Sequence, residues 1–597
     1  MANQNFLHII AGIVVVALGF MQFAWESLSE PSNNHTESSN NFTEPSIDST
    51  EPITPLNLSE LITLEMNLQY PMIFPQATSE LLEPVLLSLN VNETSQNTRT
   101  PLDIVWVLDT SGSMFGEKIT LLKDTLRYLI TFLTENDRVS IVSFDSSARR
   151  LIPLQKVSKA NERLFHSIID NLDAGGLTYI EKGLSEALKV LRERKEKDRI
   201  SSVFVLSDGL DNDPNAEQDI KNLFSKYNDI EGCSVHTFGY GYDHDPNLMS
   251  KIASFRDGNF YFIERLETAD ESFADALGGL LSVVAERVTL SVKALPCPVL
   301  SRVSFEKAFG GELLWRKTRD GWYETYIRQL SSGKNKNYVL MMALGNYLPK
   351  DIALNPEGVA IAMARLRMYE AGTNKLIEKE FELKVNITQN QSEFKRQDPD
   401  VKVLLNYYRV RAGEVMLESA KLADQGKYEE GRNKLEDLKS EMGNSTINED
   451  GFVVGTINDL NNTIWEMFPE VYSSLGKHHI QQNSGSYISE KSNPYMNNTA
   501  LSYNTTNMKQ GELVNQTRVR RNPGSNWTNC TNGTNGTNCT NASKSRNITN
   551  GTNHTDETSF SQGNSSGHIN VSNGRSNSKQ SSLKPQNDMN STIRERV

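Results

Sequence analysis

Cysteine is scarce in this chain, with four in 597 residues. Cys233, Cys297, Cys530 and Cys539 are too scattered for a disulfide scaffold, and no set has zinc-finger or RING spacing. Cys530 and Cys539 are near enough to close a small loop in an oxidising compartment, or they stay reduced. Net positive charge is also missing. A formal charge of -13 excludes a general nucleic-acid binder, which needs a basic surface to neutralise phosphates. No Lys or Arg precedes Arg99, so the basic flank of an export signal is absent and the positive-inside rule sets no orientation. There is no Walker loop, no HExxH and no Ser/His/Asp or Cys/His set in a suitable context, so no enzyme is expected. Hydrophobic residues make up 37% of the chain, low for a fully globular protein of a length that exceeds one core. Separate domains joined by polar stretches follow.

What is present begins with an apolar run. Phe6 to Trp25 carries no charged side chain, so residues 1–26 are expected to be a signal peptide or a signal anchor. The small-x-small cleavage pattern matches poorly at Gln22-Phe23-Ala24, which favours the anchor. Residues 27–60 are Ser-, Asn-, Thr-, Glu- and Pro-rich and are expected to be a disordered linker. Residues 61–95 read as β-strands around a Pro-containing turn, able to join strands after Val288. From 100 to 286, short apolar runs alternate with helical spacings. Ile104 to Leu108, Val139 to Phe144, Val203 to Leu206 and Val235 to Gly239 are strands buried on both faces, and Gly183 to Arg192 is an amphipathic helix. Such alternation predicts a doubly wound, mostly parallel α/β sheet. Residues 287–390 predict an antiparallel β-sandwich, and 399–470 a helical region with a hairpin broken at Gln425-Gly426.

Residues 474–597 are Asn-, Ser-, Thr- and Gly-rich and are expected to be a disordered tail. Asn-x-Ser/Thr sequons crowd it, from Asn497, Asn504 and Asn515 to the run between Asn526 and Asn553. Others lie at Asn34, Asn41, Asn57, Asn92, Asn386 and Asn390. Together with the apolar N-terminus they predict a glycoprotein of the secretory pathway, at the cell surface or secreted. Low-complexity drift would also accumulate such triplets, but it leaves the N-terminal run unexplained. Arg518-Val519-Arg520-Arg521 has the form of a basic processing site and equally of an incidental cluster.

The chemistry gathers at strand ends. The first buried strand runs out into Asp109-Thr110-Ser111-Gly112-Ser113, three hard oxygen donors on one short loop. In a doubly wound fold, ligands bind beyond the carboxyl ends of the strands. Thr178 follows Gly175-Gly176-Leu177, and a later strand ends at Ser207-Asp208-Gly209. Two carboxylates and three hydroxyls, without His or Cys, suit Mg²⁺, Mn²⁺ or Ca²⁺ rather than zinc. The competing reading makes Ser113 a helix cap and Asp208-Gly209 a turn. It must explain five positions separately.

Asp109-x-Ser111-x-Ser113 with Thr178 and Asp208 resembles the metal-ion-dependent adhesion site of von Willebrand factor A domains and integrin inserted domains. The resemblance implies that Ser111, Ser113 and Thr178 offer hydroxyls to the ion and that Asp109 and Asp208 supply charge, directly or through water. It further implies an open coordination position for an acidic side chain of a partner. The flanks Ala148-Arg149-Arg150-Leu151, Gly175 to Thr178 and Gly278 to Val284 are similar to plant A-domain proteins carrying a RING module. They are more loosely similar to inter-alpha-trypsin inhibitor heavy chains. Without a RING, ubiquitin-ligase activity is not carried over.

The expected function is divalent-cation-dependent binding or adhesion to an acidic macromolecular partner, with membrane attachment through the N-terminal segment. Two rivals stand beside it, an intracellular interaction scaffold with unused sequons and an auxiliary subunit of a membrane complex. His236, inside an apolar strand, is expected to be a satisfied core histidine, and His244 a solvated loop residue. Tyr407, Tyr408 and Tyr428 are expected to pack.

Overall fold

The computed structural model describes residues 58–74, 81–93, 99–264, 269–346, 358–388, 390–491 and 508–521. The apolar run 6–25, most of the linker, Cys530, Cys539 and the tail from 522 onward lie outside the described residues. The strands are numbered β1–β16, and helices of ten residues or more α1–α11.

The chain enters a β-sandwich with β1 (Ile62–Leu68), β2 (Met72–Ile73) and β3 (Leu81–Val91). It then builds a complete α/β domain from β4 (Leu102–Asp109), α1 (Glu117–Ile130), β5 (Arg138–Phe144) and β6 (Ala148–Lys156). The domain continues through α2 (Lys159–Asp170), α3 (Ile180–Glu193), β7 (Ile200–Ser207), α4 (Ala216–Lys226) and β8 (Ser234–Tyr240). It ends with α5 (Pro246–Phe255), β9 (Phe260–Ile263) and α6 (Ala269–Leu281). The sheet order is β6-β5-β4-β7-β8-β9, parallel except for β6. β4 shows why the strand is apolar throughout. Ile104, Trp106 and Leu108 face the core shared with α1 and α6, while Val105 and Val107 face the core shared with α3, α4 and α5. With a side-chain period of two and helices on both faces, neither face is left for polar residues.

The sandwich resumes at β10 (Val283–Ala294) and continues through β11 (Val303–Ala308), β12 (Arg316–Lys317), β13 (Tyr323–Ser331), β14 (Asn335–Leu344), β15 (Val359–Glu370) and β16 (Leu376–Ile387). One sheet has the order β1-β3-β14-β11 and the other β12-β13-β10-β15-β16-β2. β3 and β14 run antiparallel from the Leu81–Leu344 pair to the Asn90–Asn335 pair. The α/β domain is therefore an insertion between β3 and β10. Its boundary differs from the expected 286, because the last helix ends at Leu281 and Val283 already belongs to the sandwich.

Helices α7 (Val401–Asp424), α8 (Tyr428–Gly443), α9 (Gly451–Glu466) and α10 (Lys477–Ser489) follow, and α11 (Met508–Arg521) comes last. Val403 and Val410 of α7 pack on Leu86 and Val339 of the first sandwich sheet. Tyr407 packs edge-on against Phe309, and Tyr428 against Tyr472.

The expected disordered tail from 474 needs correction over two stretches. α10 is built into the fold, with Gln481, Gln482, Ser484 and Ser486 all buried, and Gln482 Oε1 accepts from the Phe262 amide of the α/β domain. α11 lies on α6, where a Cβ on Gly278 would meet Gln510 Cα at 2.6 Å, and Arg518 pairs with Glu271 at 2.9 Å. Each helix contributes only a few apolar side chains to the cores, Ile480 and Tyr487 from α10 and Leu513 and Val514 from α11, and buries glutamine, serine or threonine beside them, so composition reads them as unstructured. The basic cluster 518–521 forms the last turn of α11. Among the described residues, no helix is long and apolar enough to cross a membrane.

Candidate metal-binding site

β4 and β7 are neighbours, and the strand order reverses between them because β5 flanks β4 on the other side. Parallel pairing of Leu108 with Leu206 brings Asp109 and Asp208 out at the same sheet edge. This is the switch point at which a doubly wound sheet opens a crevice.

All five predicted side chains meet there. Ser113 Oγ donates to Asp208 Oδ1 at 2.7 Å and lies 3.0 Å from Ser111 Oγ. The Ser111 amide donates to Asp109 Oδ1 at 2.8 Å. Thr178 is joined to the cluster through Gly209, where a Cβ would stand 3.2 Å from Ser113 Oγ and 3.4 Å from Thr178 Oγ1. Any side chain at 209 would intrude between those two hydroxyls. Asp109, Ser111, Thr178 and Asp208 are buried, whereas Ser113 is exposed, so the cluster opens to solvent on one side. Ser113 does not cap a helix, since its hydroxyl is committed to Asp208.

The loops are pinned by main-chain bonds. The Thr110 amide donates to Phe144 O at 2.8 Å, the Gly112 amide to Gly176 O at 3.1 Å, and the Gly175 amide to Thr110 O at 2.8 Å. Gly176 has φ +89°, a left-handed conformation that a side chain would strain, and a Cβ there would also press on Ser146 Oγ at 3.0 Å. Asn212 fixes the third loop, its Oδ1 accepting from the Thr178 amide at 2.8 Å.

The electrostatics favour a cation. Burial pushes the Asp109 carboxyl up to about 6; hydrogen bonds from Ser111 and Ser207 oppose that shift, and the nearby Asp208 charge adds to it. The ammonium of Lys118, in the first turn of α1, sits 2.5 Å from Asp208 Oδ2 and 3.7 Å from Asp243 Oδ2. A divalent ion bound by these oxygens would relieve the repulsion between two desolvated carboxylates, and an all-oxygen donor set fits a hard cation.

Four contributors escaped sequence reasoning, namely Ser207, Lys118, Asn212 and Gly209. Ser207 directly precedes Asp208 and Gly209 directly follows it, so both were adjacent to a recognised position. Lys118 and Asn212 carry no local signal. His236 is buried as expected, its Nδ1 accepting from the Asn259 amide at 3.2 Å, and burial lowers its pKa to about 3. His244 corrects the expectation of a solvated loop. It is buried against Phe260, Phe262 and His478, with ring centroids 4.8 Å apart for the histidine pair.

Residues 103–275 match the von Willebrand factor type A domain model. An uncharacterized protein of Synechocystis sp. is 31% identical over 256 residues, covering 40% of this chain and 60% of its own length. The E3 ubiquitin-protein ligase WAV3 of Arabidopsis thaliana is 29% identical over 210 residues, 33% of this chain and 25% of the ligase. The voltage-dependent calcium channel subunit alpha-2/delta-4 of Homo sapiens is 28% identical over 171 residues, 27% of this chain and 14% of the subunit. The chain thus spans less than two thirds of the length of each of these relatives. Among solved structures, a von Willebrand factor type A protein from Catenulispora acidiphila superposes with a TM-score of 0.51 at 16% identity, covering 68% of this chain and 88% of that one. That likeness extends the shared fold beyond the matched segment. The α/β insertion at the head of the sandwich is a von Willebrand factor type A domain.

Proposed function

We propose that this chain is a divalent-cation-dependent binding protein whose A domain captures an acidic group of a macromolecular partner. The observation that carries this reading is the convergence of Asp109, Ser111, Ser113, Thr178 and Asp208 on one hydrogen-bonded cluster with a solvent-facing side. When bound, Mg²⁺, Mn²⁺ or Ca²⁺ would supply an electrophilic centre for a carboxylate. The protein's own contribution is to hold the hydroxyls in register and to keep few formal charges around the ion.

The surroundings support a macromolecular partner. Phe115, Leu177 and Leu210 are 77%, 51% and 64% exposed, and each lies on a loop that carries a site residue. Apolar side chains ringing a polar centre are the anatomy of a contact surface, in which apolar burial contributes affinity and the charged contact sets register. The sequons at Asn92, Asn386 and Asn390 fall on exposed residues, so they are open to glycosylation, which supports the cell-surface or secreted placement. A shift in mobility on N-glycosidase treatment of the expressed protein tests that placement; no shift moves it to the intracellular scaffold.

The binding reading is tested by calorimetric titration of Mg²⁺, Mn²⁺ and Ca²⁺ into the full chain beside Asp109→Ala and Ser113→Ala. Saturable binding that both substitutions abolish, with thermal stability retained, is the expected result. Binding that survives in both variants would refute the site.

A further inference from the structure

At the opposite edge of the A-domain sheet, the seam with the sandwich forms an open cavity of about 550 Å³. Five cationic side chains line it: Lys221 from α4, Arg256 just beyond α5, Arg287 from β10, Arg328 from β13 and Arg367 from β15. Glu231 is the one carboxylate among the lining residues. In a chain of net charge -13, this is a local reversal of sign.

Most of these cations are not neutralised by acids. Arg367 pairs with Glu378 at 2.7 Å. Arg256 is fully buried, and its guanidinium donates to the carbonyls of Phe224, Tyr227 and Ile230 at 3.0, 2.7 and 2.6 Å. Its Nε has no partner. Arg328 likewise donates to the Glu231 carbonyl at 2.5 Å. Burial, then the Arg328 charge, lowers the Arg256 pKa to about 10, against a smaller opposing effect of Asp229, as expected where like charges crowd in a desolvated site. The nearby Glu286 carboxylate packs against Gly232 and is not on the wall.

Arg287 supplies an independent geometric sign. It has φ +52°, and the β10–β15 register slips between Glu286 and Thr289. A bulge with a non-glycine residue in the left-handed region is costly, and such bulges re-aim side chains. Here the guanidinium lies 3.9 Å above the Tyr369 ring, and one Nη donates to Asn374 Oδ1; the remaining N–H groups of the fork lie off the ring face. Arg256 ties together carbonyls within the A domain, and holding the two domains together would need the Arg328 bond to the Glu231 carbonyl. It would need neither the re-aimed Arg287 nor the exposed Lys221.

We propose that this cavity binds a ligand bearing clustered phosphate or sulfate groups, through Lys221, Arg287 and Arg328. The guanidinium fork matches a tetrahedral oxyanion, and the rings of Tyr369 under Arg287 and of Tyr326, 5.2 Å from Arg328, hold the forks in place.

Tripolyphosphate and inorganic sulfate, titrated calorimetrically into the metal-free full chain at low ionic strength, test the assignment. Tripolyphosphate is expected to bind saturably, to weaken as salt rises, and to bind at least tenfold more weakly to the Lys221→Gln/Arg287→Gln double variant. Lys221→Gln alone alters only an exposed helical position and should weaken binding severalfold without touching the fold. Tighter binding of tripolyphosphate than of sulfate supports a ligand with clustered oxyanion groups, and sulfate binding as tightly as tripolyphosphate overturns the clustering. No saturable binding, or equal affinity in all variants, overturns the proposal. Because no divalent ion is present, the result is independent of the adhesion-type site.

Discussion

Lys118 Nζ and Asp208 Oδ2 lie 2.5 Å apart in a cluster where the Asp208 side chain is fully buried. The ammonium stands against the carboxylate that a divalent ion would also need. The two cations therefore compete. Lys118→Gln should tighten Mg²⁺ and Mn²⁺ binding roughly tenfold, or about 1.4 kcal/mol. Paired titrations of wild type and variant check this, and unchanged affinity would show that the ammonium swings clear when the ion enters.

Asp103, at the other end of β4, is buried and gathers three guanidiniums. Arg138 reaches it with two bonds of 2.7 Å, Arg199 with one of 2.8 Å and Arg194 with one of 3.2 Å. Removing the carboxylate would strand that positive charge. Asp103→Ala should cost about 3–5 kcal/mol of stability, read from urea unfolding. A loss below 1 kcal/mol would mean that the arginines reach water.

Gly183 lies on the face of α3 that meets the sheet. A Cβ there would stand 2.7 Å from Val107 Cγ1 and 2.8 Å from Phe144 Cδ1. Alanine favours a helix over glycine by about 1 kcal/mol, yet overpacking typically costs about 1–3 kcal/mol. Packing should win, so Gly183→Ala is expected to lower the midpoint of denaturant unfolding. A raised midpoint would show that α3 can move off the sheet.

Glu83 carries the pH dependence. It is buried in β3, its Oε2 lacks a partner, and burial raises its pKa from 4.5 to about 7. A raised carboxyl value means that the folded state holds the proton more tightly. Its contribution is therefore fully present below about pH 4.5 and is lost as pH climbs through 7. Glu83→Gln should remove that loss, making the variant more stable than wild type by about 3 kcal/mol at pH 8. Parallel stability curves from pH 5 to 8 would contradict the assignment.

The A domain and its site were legible for one physical reason. β4, β7 and β8 are buried on both faces, so each stands out as a short apolar run, and in a doubly wound sheet the residues just past those runs share an edge. β6 was opaque because an edge strand leaves most of its residues partly or wholly exposed. α10 and α11 were opaque because they bury glutamine, serine and threonine. His244 followed from the same blindness. The Asp243-His244-Asp245 loop reads as polar, and only the arrival of His478 from α10, 234 residues later, seals it from water. The basic cavity has no sequence signal at all, since its cations come from four strands and helices and one loop end.

The insertion also sets a schedule for synthesis. β3 finds its partner at β14, and Asn90 pairs with Asn335 only after the whole A domain has been made. At roughly 5–20 residues per second, β3 waits about ten seconds to nearly a minute on the ribosome with its pairing edge bare. During that interval the A domain, whose strand pairings all lie within its own span, can fold to completion and bring the two ends of the interrupted sandwich together. The inserted domain then acts as a template for the domain that carries it, and a substitution that slows its folding would show up first as aggregation of the unfinished sandwich.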